Sequence, residues 1–434
     1  MTPVEIGLLG CLLLVILLLS SMPVAFAMAI VGFVGFAWIV SLPAAVHMIT
    51  ADLYETFSSY SLTVIPLFVL MGQVSFHSGI SRRLFETAYH WLGPLPGGLA
   101  MATVGACAAF GAICGSGPAT AATMAMVALP EMKRYRYDME LACGTVASGG
   151  TLGMMIPPSV VFIVYGIMTE QSIGKLFISG ILPGLLTAAL FVGVIYIQCK
   201  RRPHLGPAAP SSTWSHKFGS LLGITETLIL FALVIGGMFG GLFTPTEAAA
   251  VGAGGSLVIA FFRKKFSLKM LRRSLMETMR TSLMVMIIVA GAVVFGHFLA
   301  ITRIPFELAT WLGSLPLPAW MIISFMVLFY VIAGCFVDAL ALILLTIPIF
   351  YPVMLDLNCN PIWFGVIIVL VTQIGTITPP VGVCAYVVGG IERDVPLQKV
   401  FKGCIPFVLA LVIATALCIA FPKICTFLPD LVRY

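Results

Sequence analysis

Long apolar runs separated by short polar bridges fill the chain from end to end. Runs near 4–20, 24–41, 61–78, 140–168 and 175–198 are apolar enough to enter hydrocarbon, which takes about 20 such residues per helix. Each predicts a membrane helix. Residues 98–130 are also apolar but carry GAICGSGPAT in their middle, and a Gly/Ser/Pro break there predicts a re-entrant helical hairpin. Non-helical backbone at that depth is tolerated only inside protein or beside water. The second half offers the same segments, with a hairpin over 316–352 and a broken helix over 361–390 matching one over 140–168. The breaks themselves read GGTLGMMIPPS and IGTITPPVG.

Composition agrees. Hydrophobic residues are 60% of the 434 and charged ones 9%, with a mean hydropathy of +1.10. A soluble domain could not cover its surface with so few polar groups. The chain is therefore expected to be an all-α polytopic membrane protein. Its 42 glycines and 27 prolines suit close-packed and broken membrane helices. Eleven cysteines lie without a C-x-x-C pair, so neither a zinc site nor a disulfide framework is indicated. Leu8–Leu19 followed by Ala25-Phe26-Ala27 imitates a secretory signal, but only Glu5 precedes the run and a signal needs basic residues there. The segment, which has a twin at 226–243, is expected to be a retained helix.

Shifting the sequence by about 220 residues brings patterns into register. Pro23/Gly32 matches Pro245/Gly254, Trp91-Leu92-Gly93 matches Trp311-Leu312-Gly313, and Gly153/Pro157/Pro158 matches Gly375/Pro379/Pro380. Gly180/Pro183 matches Gly403/Pro406. Residues 1–199 and 219–434 thus read as two repeats joined by a cytoplasmic linker over 200–218. Five crossings and one hairpin per repeat is an odd number, so the second repeat is expected to lie inverted. With residue 1 outside, 19 of the 23 Lys and Arg fall in the cytoplasm, leaving Lys175, Arg303, Lys423 and Arg433 outside. That bias satisfies the positive-inside rule, puts both termini in the periplasm, and explains the net charge of +6 without a nucleic-acid partner.

The paired prolines carry the chemistry. A proline deletes the helical bond to the carbonyl four residues earlier, so Pro157 and Pro158 free those of Gly153 and Met154, and Pro379 and Pro380 free those of Gly375 and Thr376. Freed carbonyls inside a membrane need a partner, and a sodium ion is one. Broken helices at corresponding places in inverted halves point to a transport site, whereas a plain kink is the alternative for either one alone. The hairpin tips at Cys114–Thr120 and Gly334–Asp338 add small hydroxyls and open backbone. Asp338 is the only acid between 319 and 355; an intramembrane carboxylate is a functional candidate, the alternative being a cap on local N–H groups. Arg303 either clamps a substrate carboxylate or anchors at the interface. Gln73 offers an amide oxygen, or a helix–helix hydrogen bond. His77 and His297 read as interface residues, with a proton role the alternative, and Glu247 as a helix-start charge.

The run GSGPATAATMAMVALPEMKRYRYDMELACGTVASGGTLGMMIPPSVVFIVYGI, with KLFISGILPGLL and GTITPPVG, resembles the large membrane subunit of the tripartite ATP-independent periplasmic (TRAP) transporters over nearly the whole chain. The resemblance implies an elevator-type, sodium-coupled importer of an organic acid in the bacterial inner membrane, with no cofactor beyond sodium as coupling ion. It implies two partners, a periplasmic solute-binding protein and a small four-helix membrane subunit, the latter not fused here. It places a first sodium site on Gly115, Ser116, Gly153, Ile156 and Pro158 with Gln73. A second falls on Gly334, Val337, Gly375 and Thr378 with Pro380. Ser116, Asp338 and Arg303 would face substrate. Many relatives have two adjacent serines at the first tip, where this chain has Ser116-Gly117, so substrate identity stays open among sialic acids, C4-dicarboxylates, keto acids and sugar acids.

Other classes are disfavoured. No H-E-x-x-H, G-x-G-D, G-x-S-x-G or G-x4-G-K-[ST] occurs, which argues against an enzyme or an ATP-driven pump. The alternative reading is a related inverted-repeat carboxylate transporter, sodium- or proton-coupled, that needs no binding protein.

Overall fold

A computed structural model describes residues 2–208, 213–314 and 318–431, without side chains for 312–314. All regular structure in them is helical. The chain opens with α1 (Pro3–Leu19), α2 (Val24–Ile39), α3 (Leu42–Ser58), α4 (Val64–His77) and α5 (Ile80–Leu92). Then α6 (Gly98–Cys114) and α7 (Gly117–Arg134) make a hairpin, α8 (Met139–Met155) and α9 (Val160–Met168) are two pieces of a broken helix, and α10 (Ile173–Arg201) closes the first half. Next come α11 (Trp214–Leu221), α12 (Thr225–Phe231), a π-turn over Ala232–Gly236, α13 (Gly237–Phe239), α14 (Pro245–Phe262), α15 (Leu268–Thr302) and α16 (Ile304–Ser314). A second hairpin, α17 (Ala319–Gly334) and α18 (Ala339–Asp356), precedes a second broken pair, α19 (Pro361–Thr376) and α20 (Val383–Ile391). Two helices, α21 (Leu397–Ala420) and α22 (Lys423–Leu431), end the chain.

Seven helical segments among the described residues are long and apolar enough to cross a bilayer, or eight if the pair 42–58 and 61–77, bent by 53°, is one span. Leucines 8, 9, 12 and 19 of α1 are exposed, as a lipid-facing helix requires and a water-facing one could not sustain. The predicted spans fall in helix, and the chain leaves regular helix between Cys114 and Gly117, Met155 and Val160, Gly334 and Ala339, and Thr376 and Val383. The start of the second hairpin, at 316, lies outside the described residues. The structure adds α3, α5, α11, α16 and α22. Most of these mix polar and apolar residues, so a search for spanning runs passes over them. Helix enters both ends of the 200–218 linker: α10 continues to Arg201, and α11 begins at Trp214.

The centre of the molecule is α8 and α19, in which nearly every residue is buried. Small residues allow this. A Cβ on Gly144 would lie 2.3 Å from the Gly403 carbonyl, and one on Gly150 would lie 2.6 Å from Ala121 Cβ. Backbones meet there without side chains between them, the usual way membrane helices gain packing. On the polar side, Lys133 Nζ at the end of α7 binds Asp394 at 2.7 Å and Glu392 at 3.2 Å, and Lys402 binds Glu140 at 3.3 Å. Both sets tie elements of the first half to elements of the second. Glu247 accepts from the Thr244 N–H at 2.8 Å and starts α14, the helix-start role read from the sequence.

Candidate functional site

The first break forms because Pro157 and Pro158 have no N–H to give. The last ladder bond of α8 runs from Ile156 N–H to Leu152 O, and Ser159 then caps α9. The Met154 carbonyl does not wait for an ion: the Ser159 hydroxyl donates to it. For Gly153 no such local donor occurs among the described contacts. At the second break Thr378 N–H donates to Gly375 O at 3.2 Å and Thr378 Oγ1 to Ile374 O at 2.6 Å. The Gly375 carbonyl is thus freed from the regular ladder but keeps one local donor, leaving one lone pair.

Each hairpin tip packs its backbone onto the break of its own half. Gly115, in a left-handed conformation at φ +66°, turns the chain between α6 and α7. Its carbonyl accepts from Val160 N–H at 3.2 Å. A Cβ at Gly115 would lie 2.6 Å from Pro158 O, and one at Gly153 would lie 2.9 Å from Ser116 O. Gly115, Ser116, Gly153 and Pro158 are therefore brought together, with Ile156 buried at the end of α8. In the second half Cys335 O accepts from Val381 N–H at 3.0 Å, and a Cβ at Gly375 would lie 2.3 Å from Gly334 C. Gly334, Gly375 and Thr378 meet there, and Val337 continues the same tip. The breaks differ in one respect. Pro157 and Pro158 are buried, whereas Pro379 and Pro380 are exposed.

A cavity of about 260 Å³ lies between the two tips. Ser116 and Gly117 line it from the first tip, Asp338 from the second, and Gln73 and Thr281 from α4 and α15. Ser116 and Asp338 are the N-cap residues of α7 and α18, and their side chains behave differently. Asp338 Oδ2 accepts from Leu340 N–H at 3.1 Å, whereas Ser116 makes no side-chain cap bond. Asp338 is thus a cap and a cavity residue at once. The first turn of α7 keeps amides uncapped by any side chain at the cavity wall, a place suited to an anion. No Lys, Arg or His is among the lining residues. Arg303 stands apart, exposed at the end of α15; it is 22 residues beyond Thr281, about 33 Å along the helix at 1.5 Å per residue.

The sequence reading passed over two polar residues. Thr281 faces the cavity from a helix whose exposed basic start hides it in the sequence. Gln373, two residues before Gly375, is wholly buried with neither amide atom partnered among the described residues; its signal was being a lone amide in an apolar run. The two histidines taken as interface residues each hold a carboxylate on another helix. His77 Nε2 lies 3.3 Å from Glu277, and His297 Nδ1 lies 2.9 Å from the buried Asp52.

The family model for the tripartite ATP-independent periplasmic transporter, DctM component, matches residues 11–424. Among curated proteins, the chain is 36% identical to the C4-dicarboxylate TRAP transporter large permease protein DctM of Pseudomonas aeruginosa, over 89% of this chain and 90% of that one. It is 31% identical to the sialic acid TRAP transporter large permease protein SiaM of Vibrio cholerae, covering 96% of each. It is 32% identical to the 2,3-diketo-L-gulonate TRAP transporter large permease protein YiaN of Escherichia coli, over 98% of this chain and 97% of that one. Among solved structures, the Alcanivorax borkumensis YdaH transporter superposes with a TM-score of 0.61 at 14% identity, over 87% of this chain and 88% of that one. That likeness concerns the fold alone.

Proposed function

This chain belongs to the DctM component of the tripartite ATP-independent periplasmic transporters, and from that membership we propose that it imports an organic acid by sodium-coupled, elevator-type transport in the bacterial inner membrane. Its relatives are transporter permeases, not enzymes. A periplasmic solute-binding protein delivers the acid, and a small membrane subunit braces the spans that stay still. The hairpins α6–α7 and α17–α18 and the broken pairs α8–α9 and α19–α20 move as one body.

The observation that carries this reading is the cavity shared by the two tips, with each tip seated on a proline break. Sodium would sit where the tip and break backbones meet: at Gly115, Ser116, Gly153, Ile156 and Pro158, and at Gly334, Val337, Gly375, Thr378 and Pro380. A substrate carboxylate would take the uncapped start of α7, as the Asp338 carboxylate takes the start of α18. Gln73 and Thr281 would meet substrate from the opposite wall. The inverted-repeat part of the reading is supported by helix order: α6 and α17 begin 221 residues apart (98 and 319), and α8 and α19 begin 222 apart (139 and 361). Thr281 follows the basic stretch 263–280, which supports a cavity open toward the cytoplasm.

Proteoliposomes holding the chain, its small subunit and its binding protein provide the test. Labelled C4-dicarboxylates, sialic acid and keto-sugar acids should include one taken up only with an inward sodium gradient and only with the binding protein. Uptake without sodium would refute the coupling. Uptake without the binding protein would favour the binding-protein-independent transporter.

A further inference from the structure

A second cleft, of about 550 Å³, lies away from the hairpin tips between α5 and α7. Each helix contributes one arginine and one glutamate. Arg82 Nε sits 3.0 Å from Glu86 on α5, and Arg134 Nη1 sits 3.7 Å from Glu131 on α7. The Tyr89 and Tyr135 hydroxyls meet at 3.0 Å across the two elements. Apolar side chains lie beneath and beside these charges, with Leu99 wholly buried and Met126 49% exposed. The helix α5 buries Ile80, Leu84 and Phe85 and exposes Arg82, so it lies as an amphipathic element would at a membrane surface.

We propose that this cleft holds the headgroup of a zwitterionic phospholipid bearing a primary ammonium, such as phosphatidylethanolamine. The two guanidiniums suit a phosphate, and the two carboxylates suit an ammonium with N–H groups to donate. Their charges sum to zero. A purely anionic headgroup would therefore satisfy the arginines and leave both carboxylates facing a negative charge. A trimethylammonium headgroup has no N–H to give them. The resident pairs are exposed ones of the kind that contribute little, so exchanging partners with a lipid costs little. The apolar wall ending at half-exposed Met126 is where an acyl chain would leave the cleft, and a soluble zwitterion would have no use for it. This inference rests on the chain being a membrane protein and is independent of sodium coupling or the elevator motion.

Native mass spectrometry of the purified, delipidated chain, titrated with phosphatidylethanolamine, phosphatidylcholine and phosphatidylglycerol, tests it. The ethanolamine lipid should be retained about tenfold more strongly than either other, as expected for charge-assisted hydrogen bonds the others cannot make. Glu86→Gln with Glu131→Gln should remove that preference while the circular dichroism and elution profile stay unchanged. Equal retention of all three lipids, stronger retention of phosphatidylglycerol, or an unchanged preference in the double variant overturns the proposal. So does displacement by soluble phosphoethanolamine at the same concentration, which would make the occupant a soluble zwitterion. The three-lipid comparison on the unaltered chain decides the matter even if the double variant folds poorly.

Discussion

Replacing Gly375 with Ala tests whether the tip-to-break contact holds the ion. The new Cβ would stand 2.3 Å from Gly334 C and 2.4 Å from Gly334 O. Ordinary contact starts at 3.4 Å, so the second tip must move about 1 Å off its break, and the obstacle is backbone that cannot rotate away. Overpacking of this kind costs about 1–3 kcal/mol. If that strain is relieved by opening the tip, the loss falls on the sodium-loaded arrangement, and half-saturation of uptake should need about 5- to 150-fold more sodium at 1.36 kcal/mol per tenfold. Insertion depends on apolar length and should be unaffected. Gly193→Ala is the control: a Cβ there meets nothing within 4 Å, and in a helix the change should be neutral or stabilise by about 0.5–1 kcal/mol. The assay is sodium-dependent uptake in proteoliposomes at matched protein. A parental sodium curve for Gly375→Ala, or an equal defect in Gly193→Ala, refutes the reasoning.

Other outcomes can be checked alongside. Changing Pro157 and Pro158 together to Ala should let α8 resume its ladder and take back the Gly153 and Met154 carbonyls; uptake should then need much more sodium and lose cooperativity, and a parental curve would mean the prolines are only kinks. Asp338→Asn should keep the start of α18, since Asn caps as well as Asp; it should weaken acid uptake while leaving sodium-induced thermal stabilisation in place, and loss of that stabilisation would contradict a role confined to substrate. Lys133 links the halves through Asp394, whose carboxyl its ammonium holds below the usual carboxylate range. A lowered native value adds stability above the unfolded value of about 3.9, lost as pH falls through the native one. Thermal unfolding of Lys133→Gln should therefore differ slightly from the parent near neutrality and converge with it in acid; a gap that widens in acid would show the reverse linkage.

Much of the architecture was legible because a bilayer imposes a strong rule. Backbone groups have no water to turn to, so spanning segments must be helical and apolar, and 60% hydrophobic content in runs separated by basic bridges can mean little else. The breaks were visible as paired prolines, since Pro157–Pro158 and Pro379–Pro380 each remove two successive ladder N–H groups, whereas a lone proline such as Pro183 stays inside α10. Gly115 permits the left-handed turn at the first tip. Weaker local signals went unread. The α3 and α5 helices carry charges, and neither reads as a span.

The site divided along the same line. Which carbonyls leave the ladder follows from proline chemistry and needs no coordinates. Which of them stay available does not: Ser159 takes Met154, Thr378 partly takes Gly375, and nothing among the described contacts takes Gly153. Those outcomes depend on side-chain geometry within one turn, where a hydroxyl can compete with an ion. Placement across the chain was further still from the sequence. Ser116 and Asp338 share one cavity, Thr281 joins them from α15, and Arg303 does not. Ser116 and Asp338, 222 positions apart, line one cavity in a molecule whose helices pack closely through Gly111, Gly144, Gly153 and Gly375, and a helix as long as α15 brings Thr281 to the site while its C-terminal end lies about 33 Å away. Apolar pattern determined what enters the membrane; close backbone packing decided which polar groups face one another inside it.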